Sequence, residues 1–181
     1  MKILLLKFRN IGDVLLSTPL VNNLRHHYPN AQIDFCVNKE TEAMLTLNPN
    51  LNKIITYDRI AIKSLTSIKR LWRELQFIRS FKKENYDVVI NLTSGDRGNL
   101  IAWVSNAPTR IGYSNKSWFF RKSLTHELPK QELRHTVDAN LDPLRLLNIP
   151  ISNKSVEIFW NSKDEQAISS KLTNINNFIH L

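Results

Sequence analysis

Lys2-Ile-Leu-Leu-Leu-Lys-Phe8 opens the chain as an apolar run bounded by cations. Without polar alternation, such a run suits a parallel strand covered on both faces. Arg9-Asn-Ile-Gly-Asp13 reads as a turn, and Leu16, Leu20, Val21 and Leu24 then recur at helical spacing between Val14 and Tyr28. Pro19 falls inside that pattern and predicts a kink or a helix in two pieces, because proline has no N–H to offer the preceding turn. Ala31 to Val37 is a second strand with Ile33, Phe35 and Val37 on one face. A short helix from Glu40 to Leu47 ends at Asn48-Pro49, and Lys53 to Tyr57 is a third strand.

The clearest helix follows. Leu65, Ile68, Leu71, Trp72, Leu75, Ile78 and Phe81 recur at helical spacing over about four turns. Asp87 to Leu92 is a fourth strand, leading through Thr93-Ser-Gly-Asp-Arg-Gly98 into a helix that reaches Asn106. Arg110 to Tyr113 reads as a short fifth strand, Arg134 to Leu147 as a helix and Val156 to Trp160 as another strand. Lys163 to Asn174 is again helical, and Phe178 to Leu181 begins one more apolar strand. Strands and helices alternating in this rhythm predict an α/β protein with an open parallel sheet and right-handed crossovers. A chain that stops on the first residues of a buried strand suggests a second domain beyond it.

Composition adds limits. The 181 residues suit one well-packed domain, and 42% hydrophobic with 23% charged residues is ordinary for a globular protein. The apolar runs are far shorter than the ~20 residues that span a bilayer, and the N-terminus lacks a cleavable leader, so a cytoplasmic location is expected. The single Cys36 cannot build a disulfide framework and reads as a core thiol.

Charge changes the picture more. A net charge of +9 with pI near 9.8 implies an anionic partner: nucleic acid, an acidic membrane surface, or a phosphorylated or carboxylated substrate. The cations cluster. Arg59, Lys63, Lys69, Arg70, Arg73, Arg79, Lys82 and Lys83 meet only Glu74 between them, and Lys69, Arg70 and Arg73 share one flank of the long helix. Arg110, Lys116, Arg121 and Lys122 interleave with Trp118, Phe119 and Phe120, which suits a membrane interface or a sugar and phosphate surface. No nucleic-acid-binding motif accompanies them.

In open α/β sheets, ligands lie beyond the carboxyl ends of the strands, where strand order reverses. Two loops qualify. In the first, Gly12 permits a sharp turn or a close backbone approach, and Asp13 stands at a helix N-terminus as either an N-cap or a functional carboxylate. In the second, Gly95 and Gly98 flank Asp96 and Arg97, which reads as backbone kept clear for a ligand or as a polar turn capped by Asp96. With four glycines in all, neither GxGxxG nor GxxxxGK[ST] is present. His26 and His27 are adjacent and cannot share a metal from one helix face, and HExxH, CxxC and GxSxG are absent.

Lys7-Phe-Arg-Asn-Ile-Gly-Asp-Val-Leu-Leu-Ser-Thr-Pro-Leu20, with Leu24-Arg25 and Tyr28-Pro29, resembles the opening of glycosyltransferase family 9, the ADP-heptose:lipopolysaccharide heptosyltransferases. The resemblance continues through Asn48-Pro49, Tyr86-Asp87, Asn91 to Gly98 and Ala107 to Tyr113, and is strongest toward the branch that adds an inner-core side heptose. It implies a GT-B glycosyltransferase, whose N-terminal Rossmann-like half binds the lipopolysaccharide acceptor and whose C-terminal half binds ADP-heptose. Residues 1–160 would be the acceptor-binding domain, and 161–181 a linker helix and the first strand of a truncated donor domain.

The resemblance makes Asp13 the general base in an inverting heptosyl transfer. It places Arg9, Asn10, Gly12, Arg59, Lys63, Gly95, Asp96 and Arg97 around the acceptor. It implies no metal and no cofactor beyond the donor substrate ADP-heptose. The expected partner is the anionic inner-core glycolipid, met at the cytoplasmic face of the inner membrane through peripheral contact. The Asp-[ST]-Gly-x-x-His motif of the family's donor half is absent, so this chain alone is expected to be inactive. A non-catalytic module binding acidic glycolipid is the alternative expectation.

Overall fold

Strand β1 (Lys2–Lys7) lies in the middle of a six-stranded sheet because it can be covered on both faces. Its alternation sends Ile3 and Leu5 into one core layer and Leu4 and Leu6 into the other. In this computed structural model, residues 1–114, 123–129 and 134–172 are described, with side chains described up to 169. Five further strands flank β1: β2 (Gln32–Asn38), β3 (Lys53–Tyr57), β4 (Val88–Asn91), β5 (Thr109–Tyr113) and β6 (His126–Leu128). The order is β3-β2-β1-β4-β5-β6, every neighbour parallel. Strand order therefore reverses between β1 and β4, where ligand crevices form in doubly wound sheets.

Pro19 acts as the sequence predicts. The helix after β1 comes in two pieces, α1 (Ile11–Leu15) and α2 (Thr18–His27), with Pro19 in the first turn of the second, where its missing N–H costs nothing. Leu20, Val21 and Leu24 are buried against the sheet. The segment after β2 is a 3₁₀ helix (Lys39–Met44) rather than an α-helix. Helices α3 (Arg59–Lys63) and α4 (Ser67–Ser80) follow β3, and α5 (Asp96–Val104) follows β4. The helix expected from Arg134 to Leu147 is divided into α6 (Thr136–Asn140) and α7 (Asp142–Leu146), since Pro143 cannot donate to the carbonyl of Ala139. Helix α8 (Ser162–Leu172) ends the described chain.

One strand was not expected and one expected strand is absent among the described residues. β6 has three residues with only Leu128 buried, too little apolar pattern to be seen in the sequence. Val156 to Trp160 forms no strand. The chain here is tied to α2 by side chains: Asn23 Oδ1 accepts from the amides of Ser152 and Asn153 just before the segment, and Thr18 Oγ1 accepts from the amide of Glu157 within it. Asn23 also donates to the carbonyls of Pro19 and Asn153 and accepts from the Ser152 hydroxyl. Residues 115–122, with Lys116, Trp118, Phe119, Phe120, Arg121 and Lys122, and the strand expected at Phe178 to Leu181 lie outside the described residues.

Candidate functional site

Both loops singled out in the sequence sit at the carboxyl ends of β1 and β4, and the fold ties them together. The amide of Phe8 donates to Thr93 Oγ1 at 2.9 Å, and Arg9 Nη2 donates to Ser94 Oγ at 2.7 Å. The first loop turns directly into α1, with Asn10 as its N-cap residue. Asp13 is not that cap. It stands in the first helical turn, half-buried, and takes no hydrogen bond among the described residues. A carboxylate there is favoured by the free N–H groups and dipole of the helix start while its oxygens stay available.

A cleft of about 560 Å³ opens at the same turn, lined by Phe8, Arg9, Asn10, Ile11, Gly12, Asn38, Glu40, Thr41 and Arg59, so that Asp13 adjoins it through Gly12 rather than lining it. Arg59 crosses from α3 and meets Glu40 at 3.7 Å. Lys63, at the far end of α3, is exposed and forms no ion pair among the described residues. Gly12 is helical, and a Cβ built on it would meet nothing within 4 Å, so it is not there to permit a tight turn. Its effect is to leave the cleft wall low. Asn38 is buried at the end of β2, donates to the Arg9 carbonyl at 3.4 Å and leaves its Oδ1 without a partner. A buried acceptor lining a cleft, with nothing to accept from, suits a ligand hydroxyl.

The second loop is built by close packing. Gly95 has φ +152°, and Gly98 lies so near Asn91 that a Cβ would come within 2.2 Å of its side chain. Asn91 donates to Asn99 Oδ1 and accepts from the Thr93 amide, and Asn99 donates to the Tyr113 carbonyl. Asp96 lies in the first turn of α5, with Gly95 as the cap residue. Arg97 turns toward the other sheet face. There it donates to the Tyr57 hydroxyl at 2.9 Å and to Glu74 at 3.0 Å, and stacks 4.1 Å from the Tyr57 ring centre. Tyr57 in turn donates to Glu74, and burial, with that hydrogen bond, pushes its hydroxyl pKa up to about 12. A neighbouring cleft of about 510 Å³ between α3 and α4, with Tyr57, Asp58, Arg73 and Phe77 in its wall, lacks a carboxylate without hydrogen bonds, because Asp58 caps α3 and meets Lys39 at 2.8 Å.

Sequence reasoning treats Lys7 as a cation that ends a strand, yet its side chain is buried beneath the site. Its ammonium donates to the Leu92 carbonyl at 3.2 Å and to Asn140 Oδ1 at 2.9 Å, and Asn140 reaches on to the Leu16 carbonyl. Burial lowers its pKa from 10.5 to about 8, the Asp13 carboxylate works against that, and Arg9 adds to it. Lys7 therefore remains mostly charged at neutral pH and balances the anion of Asp13. Its residue type at the inward register of β1, in step with Ile3 and Leu5, is the signal that could have marked it. Arg110, from the second basic stretch, is spent on the carbonyls of Ser123 and Ala107.

No family model matches the chain. It is 32% identical over 143 residues to the lipopolysaccharide heptosyltransferase 3 of Escherichia coli, across 76% of this chain and 40% of that protein. Over 121 residues it is 23% identical to the lipopolysaccharide core heptosyltransferase OpsX of Haemophilus influenzae, across 64% of this chain and 32% of that one. A glycosyltransferase family 9 structure from Veillonella parvula superposes with a TM-score of 0.80 at 23% identity, over 98% of this chain and 51% of the other. The ADP-heptose lipopolysaccharide heptosyltransferase II of E. coli gives 0.68 at 16%, over 96% and 51%. The chain thus spans about 40% of the curated relatives named heptosyltransferase 3 and about half of these solved structures. The curated relatives it matches are named heptosyltransferases, and its sheet is that of one half of a GT-B glycosyltransferase.

Proposed function

We propose that this relative of the family 9 heptosyltransferases is the acceptor-binding half of an inverting lipopolysaccharide heptosyltransferase, with Asp13 as general base. The observation that carries the reading is a half-buried Asp13 carboxylate without a hydrogen bond among the described residues, next to the Gly12 wall of a cation-bearing cleft at the carboxyl ends of β1 and β2. Asp13 takes the proton of an acceptor heptose hydroxyl as that oxygen attacks the anomeric carbon of ADP-heptose. The new glycosidic bond forms on the face opposite the leaving ADP, the configuration inverts, and the charge leaves with the nucleotide. Asn38 Oδ1 accepts from a neighbouring acceptor hydroxyl, and Arg9 and Arg59 hold the acid groups of the inner core. Gly12 leaves room for the sugar. Lys63, Gly95, Asp96 and Arg97 stand further out, the last fixing the second loop through Tyr57 and Glu74.

The cationic cleft and the net charge of +9 fit an anionic glycolipid presented at the cytoplasmic face of the inner membrane, with the enzyme in peripheral contact. Among the described residues, no helix is long and apolar enough to cross a membrane. The donor site belongs to the other GT-B half, and the 181 residues alone are expected to transfer no heptose. Heptose transfer by this chain by itself would refute that division of labour.

Two measurements test the reading. Titration of the chain with deacylated, heptose-bearing core oligosaccharide should show salt-sensitive binding that a heptose-free core does not. In an enzyme that carries both halves, Asp13→Asn should lower kcat by roughly 10²–10⁴-fold while acceptor affinity and Tm hold. If affinity or Tm falls and turnover merely scales with it, Asp13 is structural and the base assignment is wrong.

A further inference from the structure

The face that α4 turns away from the sheet is apolar where a solvated helix is polar. Inward, Glu74 bonds to Tyr57 and Arg97, while Phe77, Ile78 and the following Phe81 pack on the layer of Leu4 and Leu6. Outward, Ile68, Leu71, Trp72 and Leu75 are 81%, 61%, 67% and 41% exposed. At 100° per residue, these four fall within a sector of roughly 100°, so they form a continuous stripe rather than scattered apolar residues. Lys69 borders the stripe beside Trp72, and Arg79 continues it one turn beyond Leu75. Lys82, in the 3₁₀ turn after α4, shares a cleft of about 350 Å³ with the half-exposed Trp103 of α5.

The charges identify the occupant. Glu74, the one acid of α4, faces inward, and Lys69, Arg79 and Lys82 enter no ion pair among the described residues. A second copy of this chain would set these cations against their like, and protein interfaces shed lysine from their centres. A bilayer with anionic lipid meets both requirements at once. Tryptophan and leucine enter the boundary between headgroup and acyl chain, and lipid phosphates neutralise the cations around them. We propose that the outer face of α4 is the surface by which this chain lies on an anionic phospholipid bilayer. The inference rests on the glycolipid reading above only for the reason a bilayer is at hand. The N-terminal end of α4 follows directly on α3, whose Arg59 lines the Asp13 cleft, so a helix lying on the bilayer keeps that cleft near the lipid surface.

Flotation of the chain with vesicles of phosphatidylethanolamine and phosphatidylglycerol, against vesicles of phosphatidylcholine alone, tests this. Binding should require phosphatidylglycerol, weaken with salt, and fall about tenfold or more in Leu71→Ser/Trp72→Ser, with Tm unchanged because both side chains already face water. Arg79→Glu/Lys82→Glu should lower it independently and without touching the stripe. No binding to the anionic vesicles, equal binding in parent and both variants, or a concentration-dependent dimer abolished by Leu71→Ser/Trp72→Ser would each overturn the proposal. Deacylated core oligosaccharide separates this from the acceptor reading. Vesicle binding absent with oligosaccharide binding intact overturns the bilayer surface alone, and the reverse overturns the acceptor site alone.

Discussion

Lys7 shows how much a single buried charge can reveal about this site. Burying a lysine is costly unless its ammonium is hydrogen-bonded and faces an anion, and Lys7 has Leu92, Asn140 and the Asp13 carboxylate. Folded, Lys7 gives up its proton near pH 8, whereas the unfolded chain holds it to about 10.5. Between those values the unfolded state carries the extra proton, so stability rises with pH in that window. Urea unfolding at pH 8 and near pH 10 should show the parent gaining roughly 2–3 kcal/mol relative to Lys7→Met. A flat difference would mean that Lys7 is not buried as a cation. The glycines on the two loops form a contrast of the same kind. Gly12→Ala should leave Tm unchanged or raise it, since its Cβ meets open space in a helix, yet weaken oligosaccharide binding by narrowing the cleft. Gly98→Ala should cost about 1–3 kcal/mol in chemical denaturation, because its Cβ collides with an Asn91 side chain already held by Asn99 and Thr93.

At the scale of elements, the readable and unreadable parts divide by what fixes each segment. Continuous apolar runs and 3.6-residue spacing report burial and helicity, so β1 to β5, the break at Pro19 and the helical state of α4 were all legible. Where side chains rather than the sheet take the backbone bonds, pattern misleads. Val156, Ile158 and Trp160 alternate like a strand, but Thr18 takes the amide of Glu157, Asn23 anchors the chain just before it, and Trp160 is 64% exposed. In α4 the periodicity gives the helix but not the direction its apolar stripe faces. Ile68, Leu71, Trp72 and Leu75 turn outward, and the inner face includes a glutamate, which no hydrophobic pattern can mark.

For the molecule as a whole, doubly wound topology makes the site position legible from strand order alone. The reversal between β1 and β4 places Arg9 and Ser94, 85 residues apart, within 2.7 Å. The sequence could name both loops. It could not show that Arg97 leaves the site for Tyr57, or that Asn38 enters it from the end of β2, since both depend on which strand lies beside which.

Asn23 has one more consequence. Four of its five hydrogen bonds join α2, which follows directly from the Asp13 turn, to the strap that runs past residue 150. Apart from the Thr18–Glu157 bond, the seam among the described residues rests on this one amide. Replacing Asn23 with alanine should leave the sheet intact but speed tryptic nicking after Lys154 several-fold, at a rate set by local opening rather than by global unfolding. The nicked and intact chains should then differ in hydrogen exchange along α2. The strap would act as a latch on the helix that follows the Asp13 turn, and cutting it would loosen that end of the domain before any strand parts from its neighbour.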